Sequence, residues 1–125
     1  MKQTSLAVVL LLVFVGACHN DDRESFEYGV DVQGSFDSDQ VQVLVDNHEV
    51  INGKLTTSAL LGVCVDGIYK GVISEGRHEI RAIVNKTTTE NVYFFVSRKV
   101  YIGVSRDTQT GQVSFQFSDT PFLYD

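Results

Sequence analysis

The chain has 125 residues and a formal net charge of −6, with 16 acidic side chains against 10 basic ones. This length holds one small domain, because a second hydrophobic core would need more residues. The acidic balance argues against binding of nucleic acid and against electrostatic attachment to anionic lipid, since both carry negative charge.

The N-terminal segment has the order of a secretory signal. Lys2 precedes a continuous apolar run over 6–15, which is too short for a membrane span because a bilayer requires about 20 apolar residues. Small residues follow, and the segment ends as Val15–Cys18 (VGAC). We therefore predict that residues 1–17 are a signal peptide that is removed on export.

Val15–Cys18 resembles the lipobox of bacterial lipoproteins, in which a peptidase cuts before the cysteine and the cysteine sulfur is acylated. The resemblance implies that Cys18 becomes the first mature residue and carries palmitate-type acyl chains. It also implies an outer-membrane anchor, because His19 follows the cysteine instead of the Asp that usually retains a lipoprotein in the inner membrane. An ordinary secretory signal cut at Ala17, which leaves Cys18 as a free thiol, is the alternative.

Residues 18–27 are polar and acidic, which predicts a solvated tether between the lipid and the fold. The cluster Asn20–Asp22 resembles the acidic export signal that some Gram-negative lipoproteins carry to reach the outer face of the outer membrane. Solvation of a linker explains the same charges. A periplasmic and a surface-exposed domain therefore both remain open.

From residue 28 onward apolar residues alternate with polar ones, which is the period of half-buried strands. No window shows the period of an amphipathic helix. The alternation predicts about eight strands, near 29–34, 40–46, 49–57, 60–66, 68–74, 78–85, 91–97 continuing into 99–106, and 111–118.

Residues that tolerate positive φ interrupt these rows and predict hairpin turns. They lie at Asp46-Asn47, Asn52-Gly53, Asp66-Gly67, Glu75-Gly76 and Thr110-Gly111. Ser97–Lys99 predicts a bend at which one long strand moves between sheets. We therefore predict one all-β domain over 28–125, a single antiparallel immunoglobulin-like or transthyretin-like sandwich, with closure of one sheet on itself as the alternative.

A second resemblance concerns the middle of the chain. The segments 65–71 (VDGIYKG) and 75–82 (EGRHEIRA) resemble the hairpin and the Gly-x-His-x-hydrophobic strand entry of PEGA-type and other immunoglobulin-like surface modules. The resemblance implies a fold and not an activity. In such modules His78 lines the entry of the strand and does no chemistry.

Cys64 lies in the apolar run 60–65. If Cys18 is acylated, Cys64 has no disulfide partner, so we expect it to be a buried packing residue. A nucleophilic role is the alternative, with His48 or His78 as the base, but neither histidine has a local motif for that role. The spacing of Cys and His matches no transition-metal motif, and we expect no cofactor.

Acidic residues recur at predicted turns, and carboxylates from loops at one end of a sandwich are able to bind Ca²⁺. The candidates are Asp37, Asp39 and Asp107, although 37–41 lacks the glycine and the terminal glutamate of a calcium-binding loop. Turn formation is the more common reason for Asp at such positions. The sequence therefore predicts at most a weak calcium site.

The C-terminal end contains Pro121, the only proline, followed by the apolar triplet Phe122–Tyr124. Fully burying one such side chain stabilises a protein by about 1.5–3 kcal/mol, which is enough to hold a short segment against a sheet. We therefore expect the segment to pack on the sandwich, and an exposed docking peptide is the alternative.

These features predict a non-catalytic envelope or cell-surface lipoprotein module, held to the membrane by its lipid, that binds a protein or glycan partner and no nucleic acid. A glycan-cleaving groove is difficult to build in so small a domain without tryptophan. A small inhibitor or immunity-type lipoprotein is the alternative. A small envelope enzyme that uses Cys64 or His78 is a further one.

Overall fold

The computed structural model describes residues 23–89 and 91–124, which form two β-sheets around one core. The strands are β1 (Ser25–Val32), β2 (Asp39–Val45), β3 (His48–Leu55), β4 (Ile68–Ser74), β5 (Gly76–Val84), β6 (Thr87–Thr88), β7 (Val92–Val96), β8 (Val100–Arg106) and β9 (Val113–Ser118). The predicted signal peptide, Cys18 and the tether up to residue 22 lie outside the described residues. Within the described part of the chain, no helix is long and apolar enough to cross a membrane.

Sheet A has the strand order β4-β1-β8-β9, and sheet B has the order β3-β2-β5, with β6 and β7 both paired to β5. The predicted all-β sandwich is confirmed. Neighbouring strands are antiparallel except β1 and β8, which are parallel, so the prediction of antiparallel pairing throughout is wrong at this pair. Hairpin turns fix antiparallel pairing only between consecutive strands, and β1 and β8 are separated by six others.

The sandwich has two ends, which we name the base and the tip. The described chain enters at the base, and both β1 and β8 run from the base to the tip. The loops at the tip are 33–38, 56–67, 85–86 and 107–112. Because β1 has eight residues that each rise about 3.3 Å, the two ends lie about 26 Å apart.

One hydrophobic core fills the space between the sheets. The two largest fully buried side chains, Ile80 of β5 and Ile102 of β8, come from opposite sheets. The alternating rows supply most of the core because every second side chain of a strand faces the same way. The core residues are Tyr28, Val30, Val32, Phe36, Val41, Val43, Val45, Ile51, Leu55, Cys64, Ile73, Ile80, Ala82, Val84, Val96, Ile102 and Val104.

Two tight hairpins depend on residues in the left-handed conformation. Asp46 and Asn47, with φ of 52° and 64°, connect β2 to β3 as predicted. Asn85 and Lys86, with φ of 49° and 72°, connect β5 to β6 in the same way. Positive φ at both central residues is the pattern of type I′ turns, whose twist matches that of the strands. The second turn has no clear sequence signal because Lys rarely adopts positive φ.

Two further predictions about connections are confirmed. The bend at Ser97–Lys99 joins β7 of sheet B to β8 of sheet A. The pair Thr110-Gly111 lies in the hairpin between β8 and β9, where Gly111 has a φ of 74°. Turn chemistry therefore located these connections correctly, including the one that changes sheets.

The predicted strand over 60–66 does not form, and residues 56–67 are instead an irregular loop between β3 and β4. The loop is bonded to the end of β1, where the Cys64 N–H donates to the Val32 carbonyl oxygen at 2.8 Å. Cys64 enters the core, whereas Leu60 is 85% exposed. The apolar run therefore belongs to a loop that is only partly buried. Its composition alone does not distinguish such a loop from a core strand.

Three predicted turns differ from the structure. Asn52-Gly53 lies inside β3, because β3 remains paired to β2 as far as Leu55. Asp66-Gly67 lies at the end of the loop 56–67, which joins β3 of sheet B to β4 of sheet A, and it closes no hairpin. Glu75-Gly76 connects β4 of sheet A to β5 of sheet B. Gly and Asn therefore mark positions at which the chain is able to turn, and a hairpin forms only where the two flanking strands pair with each other.

β1 begins at Ser25, slightly before the domain start predicted at residue 28. Ser25 and Phe26 pair with Ser74 and Ile73 of β4. The last residues assigned to the tether therefore belong to sheet A. Their polar composition concealed this because Ser25 lies at an exposed strand end.

The C-terminal segment folds back on the outer face of sheet A, as expected from its apolar composition. The Tyr124 hydroxyl donates to Asp31 Oδ2 at 2.6 Å, and Gln33 Nε2 donates to the Tyr124 oxygen at 3.0 Å. Burial, together with the bond to Asp31, raises the pKa of Tyr124 to about 12. Leu123 remains 91% exposed, so the tyrosine holds the segment in place.

We expect Tyr124→Phe to lower the free energy of unfolding by about 1–2 kcal/mol, because two hydrogen bonds are lost and one of them has a charged acceptor. The matched control is Leu123→Ala, which removes an exposed side chain and is expected to change stability by less than about 0.5 kcal/mol. Urea unfolding of the two variants measures the difference. Equal stability of Tyr124→Phe and the wild type would show that the segment is not held by this tyrosine.

Candidate functional site

Cys64 is a buried packing residue in this fold. Its Sγ lies 3.6 Å from Thr57 Oγ1 and 3.8 Å from the Gln33 carbonyl oxygen, at the tip of the sandwich. Burial raises the pKa of the Cys64 thiol, which disfavours the thiolate that a nucleophile requires. His78 lies near the start of β5 at the base, so the structure does not bring the thiol and this imidazole together.

We expect Cys64 to resist iodoacetamide in the folded protein and to react fully in denaturant, because only 1% of the residue is exposed. Mass spectrometry of the labelled chain measures this. Val65→Cys places a thiol at a neighbouring position that is 64% exposed, and it should react rapidly without denaturant. If Cys64 of the native protein is labelled as fast as the introduced cysteine, its thiol is accessible in the folded protein and a nucleophilic role is again supported.

His78 connects the turn between β2 and β3 to the end of β4. Its Nδ1 lies 2.5 Å from Asp46 Oδ2, and its Nε2 lies 2.7 Å from the Ser74 carbonyl oxygen and 3.5 Å from Ser74 Oγ. Asp46 Oδ1 also accepts the Glu79 N–H at 3.0 Å. The three residue types are those of a Ser-His-Asp triad.

The geometry of this trio is that of a structural clamp. A carbonyl oxygen only accepts hydrogen bonds, so Nε2 of His78 donates to Ser74, and Nδ1 faces the Asp46 carboxylate. Neither ring nitrogen then presents a lone pair to the Ser74 hydroxyl, which a general base must do. The Phe94 ring lies against the imidazole, with centroids 5.9 Å apart. The trio therefore ties the base of the sandwich together.

Asp39, one of the three calcium candidates, is buried in a network of protein donors. Its Oδ1 accepts from Asn85 Nδ2 at 2.7 Å, and its Oδ2 accepts the Asp37 N–H at 2.9 Å and lies 2.9 Å from Arg106 Nη1. Burial alone raises the pKa of this carboxyl, but these bonds and the Arg106 charge hold it below its usual value. The positive partner of Asp39 is therefore a side chain of the protein.

The other two candidates, Asp37 and Asp107, also lie at the tip. Asp107 Oδ1 accepts the N–H groups of Thr110 and Gln109 at 3.0 and 2.7 Å, and these bonds lower the pKa of Asp107. Asp37 is exposed and contributes its main-chain N–H to Asp39. Among the residues that the structure describes, no group of three or more His, Cys, Asp or Glu side chains is placed to hold a metal ion.

The two sheets separate near the tip and leave a groove of about 670 Å³, which we name the β9 groove. The side chains and main chain that line it come from the end of β5, from β6 and its flanks, and from both ends of the β8–β9 hairpin. They are Val84, Asn85, Thr87, Thr88, Thr89, Val92, Arg106, Gly111, Gln112, Val113, Ser114 and Phe115.

The groove exists because sheet B is short on this side. β5 pairs with β7 only over Gly76–Ile80 and with β6 only over Ile83–Val84. β9 of sheet A continues past this gap, and its inward side chains stay partly exposed. Toward the base the gap closes where the rings of Phe94 and Phe117 meet, with centroids 5.3 Å apart.

The chemistry of the β9 groove is that of a binding surface. Its apolar residues are Val84, Val92, Val113 and Phe115, and threonine, serine and amide side chains surround them. Of the described residues that line it, Arg106 alone is charged, and its guanidinium is paired with Asp39. Concave apolar surfaces with a few polar groups at the border are typical of ligand sites.

A smaller pocket of about 210 Å³ lies under the C-terminal segment on the outer face of sheet A. The Tyr101 hydroxyl donates to Glu27 Oε2 at 2.5 Å there, and this bond raises the pKa of Tyr101. Tyr124 and Asp31, which bond each other, also line the pocket. Tyr124 and Asp31 therefore fix the segment, and Tyr101 and Glu27 are bonded to each other within sheet A.

No protein-family model and no curated protein matches the chain. Cys64 and His78, the residues that sequence reasoning nominated for chemistry, hold the fold. The β9 groove, which sequence reasoning did not identify, is a concave surface with apolar residues and a border of hydroxyl and amide groups.

Proposed function

We propose that this protein is a non-catalytic envelope lipoprotein whose sandwich binds a protein or glycan partner at the β9 groove. The observation that carries the proposal is the groove itself, about 670 Å³ in volume, with apolar residues and a border of hydroxyl and amide groups. Two features support a role without catalysis: the Cys64 thiol is buried, and both ring nitrogens of His78 are hydrogen-bonded within the fold.

The proposed module is of the PEGA-type or immunoglobulin-like kind, in which the core positions loops and strand edges and these bind the partner. The distribution of the contacts supports this separation between residues that hold the fold and a surface that binds the partner. The Asp39 network fixes the tip, the His78 clamp fixes the base, and the groove lies between β6, β7 and β9 without being filled by a described side chain.

Anchoring through Cys18 is part of the proposal. The described chain enters at the base, and residues 18–24 span at most about 23 Å when fully extended. A lipid on Cys18 would therefore keep the base within about 23 Å of the membrane.

We expect Cys18→Ser to move the protein from the membrane fraction to the soluble fraction or to leave it unprocessed. Unchanged fractionation would refute the anchor.

Photo-crosslinking in cells tests the binding role. A photoreactive amino acid at Thr88, on the border of the groove, is compared with one at Lys54, which lies on β3 at the opposite side of sheet B. We expect a discrete adduct, protein or glycan, from position 88 only. Equal adducts from both positions would contradict the groove as the binding site. A hydrolase or toxin in the adduct would identify an inhibitor or immunity protein.

A further inference from the structure

The outer strands of a sheet expose unpaired main-chain groups, and most proteins protect these edges against pairing with another chain. In the described structure, edge strand β3 carries Lys54 and shows a register shift opposite Val43-Leu44 of β2. Edge strand β4 carries the exposed Lys70. Charges and bulges of this kind oppose the addition of a further strand.

Edge strand β9 has none of these protections. Residues 108–118 contain neither a charged residue nor a proline. The pairing of β9 with β8 is continuous, from Val113 opposite Arg106 to Ser118 opposite Tyr101. β7 is also uncharged, but it is shorter, and only its first residue, Val92, reaches the groove. β9 is therefore the edge that is best suited to accept another strand.

The free main-chain groups of β9 can be assigned from its neighbour β8. The Val104 carbonyl oxygen accepts the N–H of Gln33 at 2.7 Å, so it points toward β1 and away from β9. Phe115, which is paired with Val104, therefore belongs to a pair without hydrogen bonds and turns its own N–H and C=O to the open edge. The same alternation turns the N–H and C=O of Val113 outward.

The groove lies against this edge. The consecutive residues Gly111–Phe115 line it, and they include Ser114, whose side chain belongs to the outward-facing row of β9. An extended segment in the groove is therefore able to bond to the main chain of β9 and to place every second side chain on Val92 and Phe115.

We propose that the edge of β9 pairs with an extended segment of a partner protein, neutral in charge and apolar at every second position, which adds a fifth strand to sheet A and fills the β9 groove. The inference rests on the proposed function and deepens it by naming the class of partner. A neutral segment complements a groove whose single charged residue among those described, Arg106, is already paired. It also avoids repulsion from a chain of net charge −6.

A second copy of the chain is the competing occupant, and the proposed anchor opposes it. Two β9 strands related by a two-fold axis run antiparallel, which places the bases of the two copies on opposite sides, about 26 Å apart or more. Two chains anchored through Cys18 in one membrane keep both bases within about 23 Å of it, which an antiparallel pair satisfies only if both domains lie along the membrane. A segment of a different protein meets no such restriction and is the occupant that we propose.

The probe for this inference is a displayed library of random 12-residue peptides, selected on the full-length chain purified in detergent. We expect selected peptides to be uncharged and apolar at alternate positions. Val113→Ala truncates a side chain that lines the groove but keeps the outward N–H, so it is the reference for loss of the side chain alone. Val113→Pro also removes that N–H, at an edge position that tolerates proline, and it should raise Kd at least about tenfold above the Kd of Val113→Ala.

Unfolding midpoints within a few degrees of each other establish that the two variants fold alike. If the proline variant unfolds, a second experiment uses the wild-type protein and two versions of the selected peptide, one methylated at the odd main-chain nitrogens and one at the even ones. Only one of these sets of N–H groups faces β9 in a paired strand. Loss of binding by one methylated peptide and not by the other therefore supports strand pairing. Equal binding by all methylated peptides would overturn it.

Three further outcomes overturn the inference in different ways. Self-association of the full-length chain that Val113→Pro abolishes would assign the edge to a second copy. A glycan that binds wild type but not Phe115→Ser, with no peptide selected by the same protein, would reject the strand and leave the proposed function standing. Equal binding of selected peptides to both Val113 variants would reject pairing at this edge.

Discussion

Asp39→Ala is expected to lower the free energy of unfolding by about 3 kcal/mol at neutral pH, one of the largest effects of any single change in this domain. The substitution leaves the guanidinium of Arg106, 29% exposed, without its carboxylate at 2.9 Å. It also removes the acceptor of the Asn85 carboxamide and of the Asp37 N–H. Removing one member of a buried ionic network costs more than the network itself contributes, because the remaining charge stays desolvated.

The same network gives the stability a defined dependence on pH. The folded state holds the pKa of Asp39 below its usual value, so its stabilisation is fully present above the unfolded pKa of about 3.9. The stabilisation is lost as the pH falls through the folded pKa. The difference in stability between wild type and Asp39→Asn should therefore shrink as the pH falls below about 4.

Urea unfolding at neutral and acidic pH measures both effects. Asp37→Asn is the matched control, because it removes an exposed carboxylate and leaves the main-chain N–H that bonds Asp39. The control should change stability by less than about 0.5 kcal/mol at either pH. Equal losses for the two aspartates would show that Asp39 is not the buried partner of Arg106.

Ile102→Ala should lower the free energy of unfolding by about 2–5 kcal/mol, because it opens a cavity between the two sheets. Ile102 is fully buried and faces the core from β8, the strand that pairs parallel with β1. Ile102→Val removes one methylene and should cost about 0.5–1.5 kcal/mol. Val72→Ala, at a position of β4 that is 71% exposed, serves as the control. A cost for Ile102→Ala no larger than for Val72→Ala would mean that β8 is not a central strand.

The alternation of side chains predicted the local structure well and the long-range pairing poorly. The rows that became β2, β5 and β8 were visible because each keeps an apolar face toward the core. The parallel pair of β1 and β8 joins residues such as Val30 and Ile102, which are far apart in the sequence, and no turn between them fixes their direction. Local turn chemistry carries no information about such a pair.

The site residues show the same limit. Asp39 was nominated as a calcium ligand because of its residue type, and the structure gives it Arg106 as the positive partner instead. The link between Asp46 and His78 depends on the position of the β2–β3 turn beside β5, which a single sequence does not encode in any local motif. Residue type indicated that these groups need partners, and only the fold shows which partners they have.

The β9 groove has the least signal in the sequence. It results from a mismatch between the short strands β6 and β7 of sheet B and the longer β9 of sheet A. The sequence predicted β7 and β9 but not β6, and the mismatch appears only when the sheets are stacked. The uncharged stretch 108–118 was the one available hint, because natural edge strands usually carry a protecting charge or proline.

The Kd of the crosslinked partner for two matched aromatic variants tests most directly whether the β9 groove is the binding site. Phe115→Ser removes the ring that lines the groove, and Phe95→Ser removes a ring that is 71% exposed on the outer face of β7. We predict that Phe115→Ser raises Kd at least about tenfold, as for a central interface aromatic, and that Phe95→Ser changes it by less than about twofold. An unchanged Kd for Phe115→Ser, or a larger loss of affinity for Phe95→Ser, would show that the β9 groove is not the binding site.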